Sequence, residues 1–99
     1  MIRSTFELIP EDRLEKMVKI LKAIAHPLRL QIVNILLNSE YQVGEMVQAL
    51  GTGQSLTSQE LGKLKLFGVL KSRREGNKVY YSLKNNSIRK ILATIVAET

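Results

Sequence analysis

A mainly α-helical chain with a two-stranded β-hairpin near its end is the fold class this sequence predicts, and three observations predict it. Between Val43 and Leu66 two short helical patterns are separated by Gly51-Thr52-Gly53. Directly after them, two β-like runs, Val69 to Arg74 and Val79 to Leu83, flank Glu75-Gly76-Asn77-Lys78. On either side of this block lie apolar stripes at helical spacing. Four helices, a hairpin and a closing helix then account for nearly all of the 99 residues, read as one domain over 1–99 with a modest core.

Residues 1–9 show no clear pattern, although Phe6, Leu8 and Ile9 are apolar enough to dock somewhere. Pro10 suits a first helical position, and Glu11 and Asp12 favour the positive end of a helix dipole. Leu14, Met17, Val18, Leu21 and Ile24 mark one apolar stripe of a helix over 10–25, with Lys16, Lys19 and Lys22 mostly off it. His26-Pro27 ends that helix, because the residue before a proline is pushed out of the helical region. Pro27 opens the next. Leu28, Leu30, Ile32, Val33, Ile35, Leu36 and Leu37 surround it on nearly every side, as in a buried core helix. Asn38-Ser39-Glu40 terminates it.

Val43, Met46, Val47 and Leu50 form the first amphipathic helix of a helix-turn-helix over 43–66. In the second, Thr57, Leu61 and Leu64 lie on one side, and Ser55, Leu56, Gln59 and Lys63 on the other. Gly68 closes it. The hairpin, over 69–84, is expected to turn at Gly76-Asn77, since both residues tolerate positive φ. Leu70 then faces Leu83, Ser72 faces Tyr81 and Arg74 faces Val79, leaving Lys71, Arg73, Tyr80 and Ser82 on the opposite side. Asn86 or Ser87 is a suitable cap for a last helix over 87–98, whose stripe is Ile88, Ile91, Leu92, Ile95 and Val96. This stripe and the one from Leu14 to Ile24 are the natural surface for a second copy of the chain, with packing inside one chain as the alternative.

Composition narrows function. With 44% hydrophobic and 24% charged residues the chain is globular. No apolar run is long enough for a membrane span and Met1-Ile2-Arg3-Ser4 lacks a signal-peptide core, so a cytoplasmic location without membrane association is expected. The absence of cysteine removes disulfides, thiol sensing and thiolate metal sites. One His and one Asp leave little for nucleophile–base–orienter sets, and His26, before a proline, is read as a capping residue; no enzyme activity is expected. The net charge of +6 is concentrated between Thr52 and Lys84, where seven basic residues stand against two acidic ones. A solvated basic face explains part of this, and nucleic acid explains its coincidence with the motif. A polar helix beside a cationic hairpin suits duplex DNA, the helix reading base edges and the hairpin meeting phosphates or the minor groove.

Three segments then resemble one family. Leu21-Lys22-Ala23-Ile24-Ala25-His26-Pro27-Leu28-Arg29-Leu30 resembles the entry to the core helix of the ArsR/SmtB repressors. Gln54-Ser55-Leu56-Thr57-Ser58-Gln59-Glu60-Leu61 is similar to their recognition helix, and the run from Arg73 to Leu83 to their wing. The resemblance covers roughly residues 14 to 98 and implies a homodimeric winged helix-turn-helix repressor of a prokaryote, nucleoid-associated when bound, that holds an inverted-repeat operator until an inducer loosens it. On this reading Gln54, Ser55, Leu56, Ser58 and Gln59 face base edges and phosphates. Lys63 and Lys65 face the phosphate backbone, and Arg73, Arg74, Asn77 and Lys78 belong to the wing. The dimer surface takes Leu14, Met17, Val18, Leu21, Ile88, Ile91, Leu92 and Ile95. Partners are double-stranded DNA, a second copy and an unidentified effector or protein.

The departures from the pattern matter as much. The arsenic-sensing members carry a Cys-x-Cys near the positions of Gln42 and Gly44, and persulfide sensors need a cysteine pair. Zinc sensors place several ligands on the last helix, where Ser87 to Thr99 offers only Glu98. No metal and no cofactor are therefore expected, and methionine oxidation at Met1, Met17 or Met46 is the remaining oxidant chemistry. Leu56-Thr57 inverts the common order, so Leu56 faces outward to a thymine methyl or to solvent. Glu60 replaces a common histidine and either turns away from DNA or accepts from a cytosine amino group. Gly53 stands where serine is frequent and caps only weakly. The rival reading is a protein-interaction module on the same core.

Overall fold

Pro27 decides where the first two helices divide. His26 before it is extended (φ −152°, ψ 132°), so α1 (Glu11–Ile24) stops short of it and α2 (Pro27–Ile35) begins on the proline. Among the described residues the His26 side chain caps nothing; it occupies the cap position without the expected hydrogen bond. The computed structural model describes residues 6–99, so the first part of the expected arm over 1–9, with Met1, lies outside the described residues. Leu8 (87%) and Ile9 (44%) are exposed.

From α2 the chain passes through α3 (Val43–Leu50), α4 (Gln54–Leu66), β1 (Leu70–Glu75), β2 (Lys78–Leu83) and α5 (Asn86–Glu98). Glu45 accepts from the Gln42 backbone N–H at 3.0 Å and so starts α3. Gly51, in the left-handed region at φ 67°, ends it. α5 is capped one residue earlier than expected: the Asn85 side chain accepts from the Ile88 N–H at 3.1 Å, rather than Asn86 or Ser87. Arg89 then donates to the Leu37 carbonyl at 2.6 Å and ties α5 to the end of α2.

The core is assembled from Ile32, Val33, Leu36, Met46, Leu61, Leu64, Val69 and Leu70, closed by Leu83, Ile88 and Leu92. α2 is less completely buried than its composition suggests. It ends at Ile35, and Leu30, 43% exposed, faces outward. A nine-residue helix covered by neighbours on one side keeps one apolar position outside.

The hairpin register is the expected one, with Leu70 opposite Leu83, Ser72 opposite Tyr81 and Arg74 opposite Val79. Its two-residue turn differs in type. Gly76 alone has positive φ, at 63°, and Asn77 does not, so the turn has glycine at the first central position as in type II′. Tyr41, ahead of α3, forms an antiparallel bridge with Tyr81 through N–H···O bonds of 3.1 and 2.9 Å. The hairpin is thus fastened at its base to the segment between α2 and α3.

Candidate nucleic-acid interface

α4 is two-faced because its polar and apolar residues alternate at helical period. Thr57, Glu60, Leu61 and Leu64 are buried. At 100° per residue, Ser55, Gln59, Gly62 and Leu66 fall opposite, with Ser58 to one side, and all are exposed. Gln54 and Leu56 flank that outer face at the N-terminal end and are exposed as well. The outer face carries uncharged donors and acceptors toward its N-terminal end and the exposed Leu66 at its C-terminal end, and the inner face holds the helix in place.

Thr57 is the clearest local device. Its hydroxyl donates to the Gly53 carbonyl at 2.9 Å, so in the 2.7 Å contact with Thr52 it accepts from the Thr52 hydroxyl. Gly53 at the cap position has no side chain, and this pair organises the turn in its place. Thr57→Val keeps the shape and loses both bonds; it is expected to cost about 1 kcal/mol in urea unfolding. No loss on Thr57→Val would mean that the turn does not depend on the pair.

Glu60 is turned away from the outer face. Its carboxylate accepts from Arg29 Nε at 2.7 Å, and Lys63 Nζ lies 3.5 Å from it. The Arg29 hydrogen bond holds Glu60 below the ordinary carboxylate value, against an opposing contribution from desolvation. Arg29 also reaches the Ala23 carbonyl at 3.3 Å, so one guanidinium links α1, α2 and α4. Arg29 was not singled out from the sequence. The only available signal was an acidic residue on the inner side of α4, at i+3 from Thr57 and i−4 from Leu64.

The expected cations divide into two groups. Lys65 Nζ donates to Ser72 Oγ at 2.7 Å, which sets the side of the hairpin carrying Leu70, Ser72 and Arg74 toward α4. Among the described residues Arg74 and Lys78 carry no ion pair, and with Asn77 they are exposed around the hairpin tip. Arg73 is different. Its Nε donates to both Glu40 oxygens at 2.9 Å, Nη2 donates to Glu40 as well, and Nη1 donates to Glu75 at 2.8 Å. The guanidinium also stacks 4.5 Å from the Tyr80 ring centroid. It holds Glu40 below its ordinary value, while the two carboxylates raise its own. Arg73 is on the wing, as expected, with its donors directed at carboxylates of the same chain.

The apolar stripes on α1 and α5 are also only partly free. Leu14, Met17, Val18 and Leu21 are exposed, as are Ile91 (51%), Ile95 (53%) and Val96. Ile88 and Leu92, each 5% exposed, pack into the chain's own core and floor the grooves on this face. The α5 stripe is broad, and its inner half is needed to cover β2 and α2. A groove of about 640 Å³ runs between Leu21, Ile24, Leu30, Leu92, Ile95 and Val96. Among the described residues no group of three or more His, Cys, Asp or Glu is placed to hold a metal ion, and no helix is long and apolar enough to cross a membrane.

Comparisons with known proteins agree on one group. The family model described as bacterial regulatory protein, arsR family, matches residues 26–72. The biofilm growth-associated repressor of Xylella fastidiosa is 38% identical over 73 residues, 74% of this chain, and the chain spans 64% of that relative's length. The transcriptional activator HlyU of Vibrio cholerae is 37% identical over 82 residues, 83% of this chain and 76% of the relative. The solved HlyU structure superposes with a TM-score of 0.82 at 35% identity, covering 87% of this chain and 94% of that one. The homodimeric winged helix-turn-helix DNA-binding domain of Mb0332 from Mycobacterium bovis, a possible ArsR-family transcriptional regulator, superposes with a TM-score of 0.80 at 28% identity. That match covers 97% of this chain and 91% of the domain.

Proposed function

The chain is a winged helix-turn-helix member of the arsR family of bacterial regulatory proteins, and from that premise we propose that it is a sequence-specific DNA-binding transcriptional regulator that represses by occupying an inverted-repeat operator as a homodimer. The observation that carries this reading is the outer face of α4. Ser55 and Gln59 lie opposite the core, with Gln54, Leu56 and Ser58 beside them, and all are exposed. In this geometry the helix offers hydrogen-bonding groups to the major groove, and Leu56 an apolar contact to a thymine methyl. Exposed cations bracket the face: Lys63 and Lys65 in the last turn, Arg74 and Lys78 on the wing. These position the protein on phosphates and carry no sequence information themselves.

A homodimer is supported by two features of the single chain. The radius of gyration is 16.0 Å, against about 13 Å for a globular chain of this length. The exposed apolar stripes of α1 and α5 lie side by side around a second groove of about 320 Å³ that includes Met17, Leu21 and Ile91. A second copy removes that surface from water and, by its two-fold symmetry, sets two α4 helices about one turn of DNA apart. Repression is the sign of the Xylella relative and activation that of HlyU; occupancy of a promoter needs nothing beyond the surfaces described, which favours repression.

Gln59→Ala tests the face directly. Against a duplex selected with the wild-type protein from a random-sequence pool, it is expected to weaken binding by about 1–2 kcal/mol per half-site, with little change on random DNA. Equal weakening on both would remove Gln59 from the base contacts. Unchanged DNA binding with loss of a protein partner would favour an interaction module.

A further inference from the structure

The cluster at the base of the hairpin joins three parts of the chain that lie far apart in sequence. Tyr41 bridges Tyr81 on β2, which places the preceding residue, Glu40, on the wing face that also carries Arg73 and Tyr80. Arg73 spans β2 from there. It lies over the Tyr80 ring, donates to both oxygens of Glu40 and takes Glu75 as a second carboxylate. A planar guanidinium fits this fork and ring together, which an ammonium does not. With Lys71 also acting on Glu40, the two carboxylates and two cations of this face balance, so the group offers phosphate no net positive charge. Arg74, on the opposite face, and Lys78, beside the turn, have no such partners among the described residues.

We infer that Glu40 and Arg73 are positioning residues: they clamp the wing to the segment between α2 and α3 and set the angle at which Arg74 and Lys78 are presented to DNA. Arg73 acts within the protein, and the turn before α3 and the wing move as one unit. The inference rests on the DNA-binding reading for its consequence and on the free protein for its geometry, so the two are tested separately.

The experiment compares wild type, Glu40→Gln, Arg73→Lys, Arg73→Gln and the Glu40→Gln/Arg73→Lys double variant by fluorescence anisotropy on the selected duplex over a range of salt. Each single variant is expected to weaken binding roughly two- to fivefold. The double variant should be no weaker than either single one, because both remove one contact. The slope of log K against log salt should stay that of wild type, since no phosphate contact is lost. Arg73→Lys binding like wild type overturns the inference, because lysine serves a phosphate contact but not the fork. A lowered slope in Arg73→Gln overturns it too, and so does tighter binding by Glu40→Gln in which Arg73 carries the gain. Amide exchange in the DNA-free protein supplies the second readout. Glu40→Gln should speed exchange of the hairpin amides two- to fivefold; unchanged exchange contradicts the clamp. If wild type binds no duplex at all, the functional reading fails while this second readout still decides the clamp.

Discussion

Ile95→Glu should leave a folded monomer that has lost the operator. Ile95 is 53% exposed in the single chain and lines the groove between α1, α2 and α5, so a glutamate there meets water as long as the chain is alone. In a dimer the same carboxylate is buried without a partner, and that cost opposes association. Sedimentation at micromolar concentration should shift from about twice 11.2 kDa to the single-chain mass. Circular dichroism should stay helical. Affinity for the selected duplex should fall on the order of 100-fold or more, because two linked half-sites are replaced by one. Leu92→Glu is the contrasting variant. Leu92 is buried in the chain's own core, so its glutamate should unfold the protein rather than split it. An Ile95→Glu protein that remains dimeric and retains the operator would show that the outer face of α5 is not the interface.

Arg29→Met should cost the fold itself about 2–3 kcal/mol, lowering the melting temperature by about 10 °C or more for a chain of this size. Breaking a buried pair from one side leaves the other charge behind, typically at about 3–5 kcal/mol; here Glu60 lies just beneath the surface and Lys63 is 3.5 Å away, which reduces the figure. The pH dependence supplies the sign. The folded-state value of Glu60 is lowered from 4.5, so the wild-type pair contributes stability above that value and loses it as pH falls through the lowered one. Without Arg29, desolvation is left to oppose the charged form, and protonation then relieves the penalty. The gap between variant and wild type should therefore narrow below about pH 4.5 in urea unfolding. Arg29→Met combined with Glu60→Gln should recover most of the loss at pH 7. A constant gap across this window would mean that Arg29 contributes through packing alone.

The hairpin was legible because its signal is local. Gly76-Asn77 and the alternation on either side specify the register without reference to the rest of the chain, although the turn type required the φ of Asn77. The two faces of α4 were legible for the same reason, down to Thr57 inside and Leu56 outside. What stayed hidden is long-range. Arg29 and Glu60 are 31 residues apart, and Arg73 and Glu40 are 33 apart. Whether a cation faces DNA or a carboxylate therefore depends on how helices pack, which periodicity does not encode. The place of Arg73 on the wing is legible in the sequence; its carboxylate partners are not. The stripe of α5 hid a similar division. Ile88, Ile91, Leu92 and Ile95 share one spacing, yet Ile88 and Leu92 serve the chain's own core while Ile91 and Ile95 stay exposed. Leu30 and the Asn85 cap are smaller cases, where burial on one side only or a one-residue shift decides the outcome.

The most direct test of the central claim is the salt dependence of binding to duplexes that the wild-type protein selects from a random pool. Four cations per protomer, Lys63, Lys65, Arg74 and Lys78, bracket the reading face, and two protomers present them together. The selected duplexes should share an inverted repeat with half-site centres about 34 Å apart or a modest multiple of that. Log K should fall linearly with log salt at a slope of about −5 to −7. Selected sequences without two-fold symmetry, or a slope near zero, would contradict the account.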